Sequence, residues 1–142
     1  MPKARPENRT LVLAAVLLVA ACSGGSSGPA GPALTATDNV IQLDLTAALQ
    51  ISQGGTKVSA IQVKRGQTYT FRITNTAGFA HDFQIGTDAD LSAAKAGLPG
   101  LAQFSNGTQE FSYTFDTGGP LMFGCTVPGH YASMKGTFDI QP

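Results

Sequence analysis

Most of the side chains that do chemistry are scarce in this chain of 142 residues, which holds two histidines, two cysteines and three methionines. With His81 and His130 as the whole imidazole supply, a Ser-His-Asp hydrolase or an enzyme with two metal sites has little to be built from. Charge is scarce as well: nine basic and nine acidic residues balance to zero, and nothing resembles the basic patch that nucleic acid requires. The longest apolar run, Leu11 to Ala21, has eleven residues, too few to span a bilayer as a helix. An Arg-Arg pair is missing, so export by a twin-arginine route has no support.

What is present gathers near the C-terminus. The stretch Leu121 to Ile140, LMFGCTVPGHYASMKGTFDI, puts Cys125, His130 and Met134 within ten residues, between two segments that read as strands. Pro128-Gly129 is a turn dipeptide able to fold the chain back between Cys125 and His130, and Gly124 lets the backbone pass close to its neighbours just before the thiol. His81 is the one histidine left to join them. A thiolate and two imidazoles with a distant thioether suit a copper ion that changes oxidation state, because soft sulfur favours Cu(I) while nitrogen suits both states. His81, Cys125, His130 and Met134 are the expected metal ligands. Taken singly, a lone His is more often structural, a buried Cys is an inert thiol and a buried Met fills core gaps; the conjunction is what points to metal.

The loop CTVPGHYASM, with four residues between Cys and His and three between His and Met, resembles the copper loop of the azurin branch of the cupredoxins. Upstream, YTFRITNTAGFAHDFQI (Tyr69 to Ile85) is similar to the segment that carries the family's first histidine, and His81 falls there. The two stretches cover roughly a quarter of the chain. The resemblance implies one type 1 copper and a one-electron carrier that is not an enzyme. It also implies a tie between the residue after the first His and the Cys loop. Family members usually have Asn at that place, and here it is Asp82, whose carboxylate is expected to accept a hydrogen bond from Thr126 and, by its charge, to lower the potential. Ala80 stands where azurins have Gly, a residue whose carbonyl can be a distant fifth ligand; Ala keeps the carbonyl and restricts the backbone.

The N-terminal stretch carries its own expectations. Lys3, Arg5 and Arg9 followed by the apolar run fit the start of a secretory signal, and Val19-Ala20-Ala21-Cys22 resembles a bacterial lipobox. Residues 1–21 are therefore read as a lipoprotein signal peptide and Cys22 as the lipid attachment site, which would anchor an exported protein to a bacterial membrane, facing the periplasm or cell exterior. An ordinary signal peptide with Cys22 left free is the alternative. Removing 1–21 leaves six basic against eight acidic residues, too mild a balance for electrostatic docking to anionic lipid. Residues 22–37 read as a Gly/Ser/Pro linker, the fifteen residues after Cys22 having a coil span of roughly 20 Å. With Cys22 lipidated and Cys125 on metal, no disulfide forms. Azurins have one, and its absence forgoes about 2 to 4 kcal/mol.

The folded domain is expected over 38–142. Val40 to Leu45, Lys57 to Lys64, Gln67 to Asn75, His81 to Ile85, Gln109 to Phe115, Leu121 to Cys125 and Gly136 to Ile140 read as strands by alternation. Asp88 to Gly97 reads as the one helix, with an Asp cap and a Gly stop. Seven or eight short strands, one short helix and no repeat imply an all-β, Greek-key antiparallel sandwich. The sheets should hold the site preformed, with His130 the most exposed ligand. Phe79, Ala80, Val127 and Pro128 should rim it, and Leu98 and Leu101 either extend that rim or cover the core. Redox proteins such as cytochromes or copper oxidoreductases would dock there transiently, the protein itself being a monomer. A copper chaperone, store or resistance protein is the rival reading, weakened because Met122 and Met134 are the only methionines after the signal.

Overall fold

The computed structural model describes residues 33–142. The expected signal peptide, Cys22 and most of the expected linker lie outside the described residues.

Among the described residues eleven strands form two packed sheets, with one short helix besides. One sheet has the order β4-β3-β2-β6-β9 and comprises β2 (Val40–Thr46), β3 (Gln50–Gln53), β4 (Thr56–Lys57), β6 (Thr68–Asn75) and β9 (Gly107–Thr114). The other, of order β1-β5-β11-β10-β7-β8, comprises β1 (Leu34–Thr35), β5 (Ala60–Lys64), β7 (His81–Gly86), β8 (Gly100–Phe104), β10 (Met122–Gly124) and β11 (Lys135–Gln141). The sandwich is as expected, but it is mixed rather than wholly antiparallel. β2 runs parallel to β6, and β5 parallel to both β1 and β11, because the connections cross from sheet to sheet instead of returning as hairpins.

Period-two alternation builds the interior. In β6, Tyr69, Phe71 and Ile73 turn inward and are buried, while Thr70, Arg72 and Thr74 face outward and pair with Ser112, Glu110 and Thr108 of β9. The aromatic residues of both sheets meet in one stack: Phe71 lies 5.6 Å from Phe83, Phe83 lies 5.7 Å from Phe123, and Phe123 lies 5.3 Å from Phe138, measured between ring centroids. Each such fully buried ring contributes about 2 to 3 kcal/mol. This packing ties the two sheets together.

Three local expectations are corrected. Lys57 to Lys64 is not one strand; β4 ends at Lys57 in one sheet and β5 begins at Ala60 in the other, with Val58 buried between them. The helix α1 covers only Asp88–Ser92, capped by the Thr87 hydroxyl, which accepts from the Asp90 amide at 3.1 Å, rather than by an Asp. Leu91 is its sole buried residue, residues 92–97 are exposed and Ala94 has a φ of 47°. One anchoring side chain cannot sustain a second turn on a surface. Finally, β1 lies within the segment expected as linker, before residue 38: Leu34 and Thr35 pair with Ile61 and Gln62, and Leu34 packs on the core.

Candidate metal centre

His81 opens β7, and what holds it there begins with Asn75. The Asn75 side chain is buried and fully used: its amide donates to the Phe79 and Phe104 carbonyls at 2.9 and 2.6 Å, and its carbonyl accepts from the Ala77 amide at 2.9 Å. That fixes the turn leading into β7. Directly afterwards, the pairing with β8 slips register between His81 and Phe83, an irregularity of the kind that re-aims side chains beside functional sites. His81, Asp82 and Phe83 are all buried in consequence, although simple alternation would have sent Asp82 outward.

The loop after β10 supplies the other donors through two nested turns. The His130 amide donates to the Val127 carbonyl at 3.0 Å, with Pro128 and Gly129 between them and Gly129 at a φ of 85°. This is the type II arrangement, in which proline presets the first corner and only glycine is comfortable at the second. The His130 carbonyl then accepts from the Ser133 and Met134 amides at 3.1 and 2.9 Å, and the Cys125 amide donates to the Met134 carbonyl at 3.0 Å. Cys125 and Met134 are both completely buried, while His130 is half-buried.

These elements bring three donor atoms together. Cys125 Sγ lies 3.7 Å from His81 Nδ1 and 3.6 Å from His130 Nδ1, and the two imidazole nitrogens are 3.2 Å apart. A point equidistant from all three is roughly 2 Å from each, the length of ordinary metal–nitrogen bonds. Without an ion these atoms can share protons among themselves; a soft sulfur and two imidazole nitrogens converging in a buried pocket are also a donor set that fits a metal ion able to replace those protons. With Nδ1 facing the other two donors, the proton of His81 belongs on Nε2, which is buried with no hydrogen-bond partner.

Electrostatics agree with a site that waits for a cation. Burial lowers the pKa of His81, and the facing His130 lowers it further, so the ring is neutral and ready to ligate. Burial pushes the Cys125 thiol up to about 11; a bound ion must displace that proton, coupling metal uptake to proton release. Asp82 is tied to the loop as expected, and by two bonds rather than one. Thr126 donates its backbone N–H to Oδ1 and its hydroxyl to Oδ2, each at 2.6 Å.

Phe79 is the one exposed large apolar residue among those described, 40% accessible, and its ring lies 4.9 Å from that of His81 and 6.1 Å, edge-on, from that of His130. In the ligand loop Pro128 is exposed, while Val127 is half-buried and packs against the core. Leu98 and Leu101 do not extend this rim. Leu101 is 7% accessible and belongs to the core, and Leu98 packs toward Gly86, the end of β7 away from His81. Two residues of the site escaped the sequence reading. Asn75 looked like an ordinary strand end, and Tyr131, whose signal was only that it is the sole aromatic in the loop, reaches Asp88.

Comparison with known proteins bears on the same residues. The family described as copper binding proteins, plastocyanin/azurin family, matches residues 48–141. The chain is 31% identical over 90 residues to the copper-resistant cuproprotein CopI of Rubrivivax gelatinosus, a stretch that covers 55% of this chain and 54% of that protein. It thus spans about half the length of the curated relative it matches. Among solved structures it resembles auracyanin A, a "blue" copper protein from Chloroflexus aurantiacus, with 25% identity and a TM-score of 0.57 over 72% of this chain and 98% of that one. Rusticyanin from Thiobacillus ferrooxidans, 18% identical with a TM-score of 0.61 over 79% of this chain and 84% of that one, shares the fold.

Proposed function

The chain belongs to the plastocyanin/azurin family of copper-binding proteins, and on that premise we propose that it is a one-electron carrier whose single type 1 copper cycles between Cu(I) and Cu(II). The observation that carries this reading is the triangle of Cys125 Sγ, His81 Nδ1 and His130 Nδ1 with sides of 3.2 to 3.7 Å. In it those three residues would be the strong ligands and the buried Met134 would supply the weak thioether. When bound, copper supplies a redox couple at a potential set by its ligands and their surroundings.

The protein's own residues favour transfer over catalysis. Three of the donors are held by backbone hydrogen bonds that do not depend on the ion, which keeps the geometry alike in both oxidation states. Both histidines of the chain are in one donor set, leaving none for a second metal or a general base. The half-exposed His130 and the apolar Phe79 beside it offer a redox protein, such as a cytochrome or a copper oxidoreductase, a short path and an uncharged contact with fast release. Lipidation at Cys22 would tether the carrier to a bacterial membrane on its periplasmic or outer side; no helix among the described residues is long and apolar enough to cross one.

A second reading, copper resistance, is favoured by the likeness to CopI. Against it, the described residues contain only two methionines, Met122 half-buried and Met134 wholly buried, so the exposed thioether cluster expected of a Cu(I)-handling surface is missing among them. The deciding experiment titrates purified protein with Cu(II) and then offers it reduced and oxidised cytochrome. An intense thiolate-to-copper band in the visible with a narrow copper hyperfine splitting, followed by rapid electron exchange, supports the carrier. Weak Cu(II) features overturn it. The blue form with no exchange supports resistance.

A further inference from the structure

Tyr131 follows His130 directly, yet its side chain serves a different end. The phenol donates to Asp88 Oδ1 at 2.8 Å. Lys135 donates to the same oxygen at 3.2 Å, and its ammonium stands 4.8 Å from the centroid of the Tyr131 ring, within range of a cation–π contact. The flank of the ring lies against Gly124, where an added methyl group would come within 2.7 Å of Cε2. Gly124 precedes Cys125 and Lys135 follows Met134, so this one side chain touches the neighbours of two donors and adjoins a third. Asp88 opens α1, which follows the end of β7 opposite to His81.

Leaving aside the donor contacts of His130 itself, residues 127–133 reach the rest of the described sandwich by side-chain hydrogen bonds only through Tyr131. Were a bound ion to leave toward the surface, His130, the half-exposed donor, would have to swing away from Cys125 and His81, and Tyr131, next in the chain, would move with it. Breaking the phenol–carboxylate bond and lifting the ring off Gly124 are then part of the barrier.

We propose that Tyr131, Asp88 and Lys135 form a latch that holds the ligand loop on the sandwich and slows the loss of copper, Tyr131 acting as a positioning residue and not as a ligand. The proposal deepens the type 1 copper reading and rests on it. The test uses the full copper-loaded chain and follows transfer of Cu(II) to excess EDTA by the decay of the visible band. Tyr131→Phe should release copper about tenfold faster than the natural protein, the lower end of what losing an outer partner of a metal ligand costs. Asp88→Ala, which also frees Lys135, should release it at least as fast, Asp88→Asn, which keeps an acceptor oxygen, should fall between the natural protein and Asp88→Ala, and the Tyr131→Phe/Asp88→Ala double variant should be no faster than Asp88→Ala alone. Asp88 is exposed, so its variants keep the experiment readable if Tyr131→Phe folds poorly. Release at the natural rate in both single variants overturns the latch, as does a double variant whose acceleration is the product of the two. If the natural protein forms no blue complex, the copper reading fails instead.

Discussion

Asp82 and Thr126 are joined twice, the carboxylate taking both the backbone N–H and the hydroxyl of the threonine at 2.6 Å. A full negative charge is thereby fixed beside the donor cluster, one residue from His81 and facing the residue after Cys125. Buried carboxylates persist where strong donors satisfy both oxygens, and here the donors come from the ligand loop itself.

Asp82→Asn tests what that charge does. Asparagine can still accept from the Thr126 amide, and the threonine hydroxyl can turn to accept from the new NH2, so the tie survives while the charge goes. Cu(II) loses more than Cu(I), and the potential should rise by on the order of 60 mV, a tenfold change in the one-electron equilibrium. Protein-film voltammetry reads the shift; an unchanged or lower potential refutes the charge argument.

Cys125→Ser should abolish the intense visible band, because an alcohol cannot supply the low-energy charge transfer of a thiolate. The fold should remain, since the Cys125 amide bond to Met134 belongs to the backbone. Absorption and far-ultraviolet circular dichroism check both halves, and a surviving intense band would mean that another residue provides the sulfur.

Phe123→Ala removes a ring that lies between Phe83 and Phe138 and is completely buried. It should cost about 3 to 5 kcal/mol in urea unfolding of the copper-free protein. A loss under about 1 kcal/mol would show that the stack is not the main tie between the sheets.

Asp88 gives a pH dependence with a definite sign. The hydrogen bond from Tyr131, followed by that from Lys135, holds its carboxyl below the ordinary value of 3.8. A depressed folded-state pKa contributes stability that is present above 3.8 and disappears as the pH falls through the lower folded value. The stability gap between the natural protein and Asp88→Asn should therefore be largest near neutrality and close in acid. A gap that widens on acidification would reverse the assignment.

The donor set was legible in the sequence because ligand chemistry admits few residue types and the loop sets their spacing. The strands that frame it were legible where alternation is strong, as in Tyr69, Phe71 and Ile73. Less visible was anything decided by neighbours distant in sequence. The burial of Asp82 depends on a register slip opposite Phe104, the short helix on Leu91 being its only anchor, and the division at Val58 on which sheet each half joins. Leu98 and Leu101 look alike in a sequence, and only the pairing of β7 with β8 assigns one to Gly86 and the other to the core.

The hydrogen bond from the Cys125 amide to the Met134 carbonyl brings the two ends of the ligand loop side by side, so that it leaves and rejoins the sandwich at nearly one point. A residue inserted or deleted between them bulges outward or tightens inward without disturbing how β10 and β11 are aligned. A change of spacing within that arc would therefore shift His130 without moving the sheet, whereas His81, the first residue of β7, cannot move without its strand.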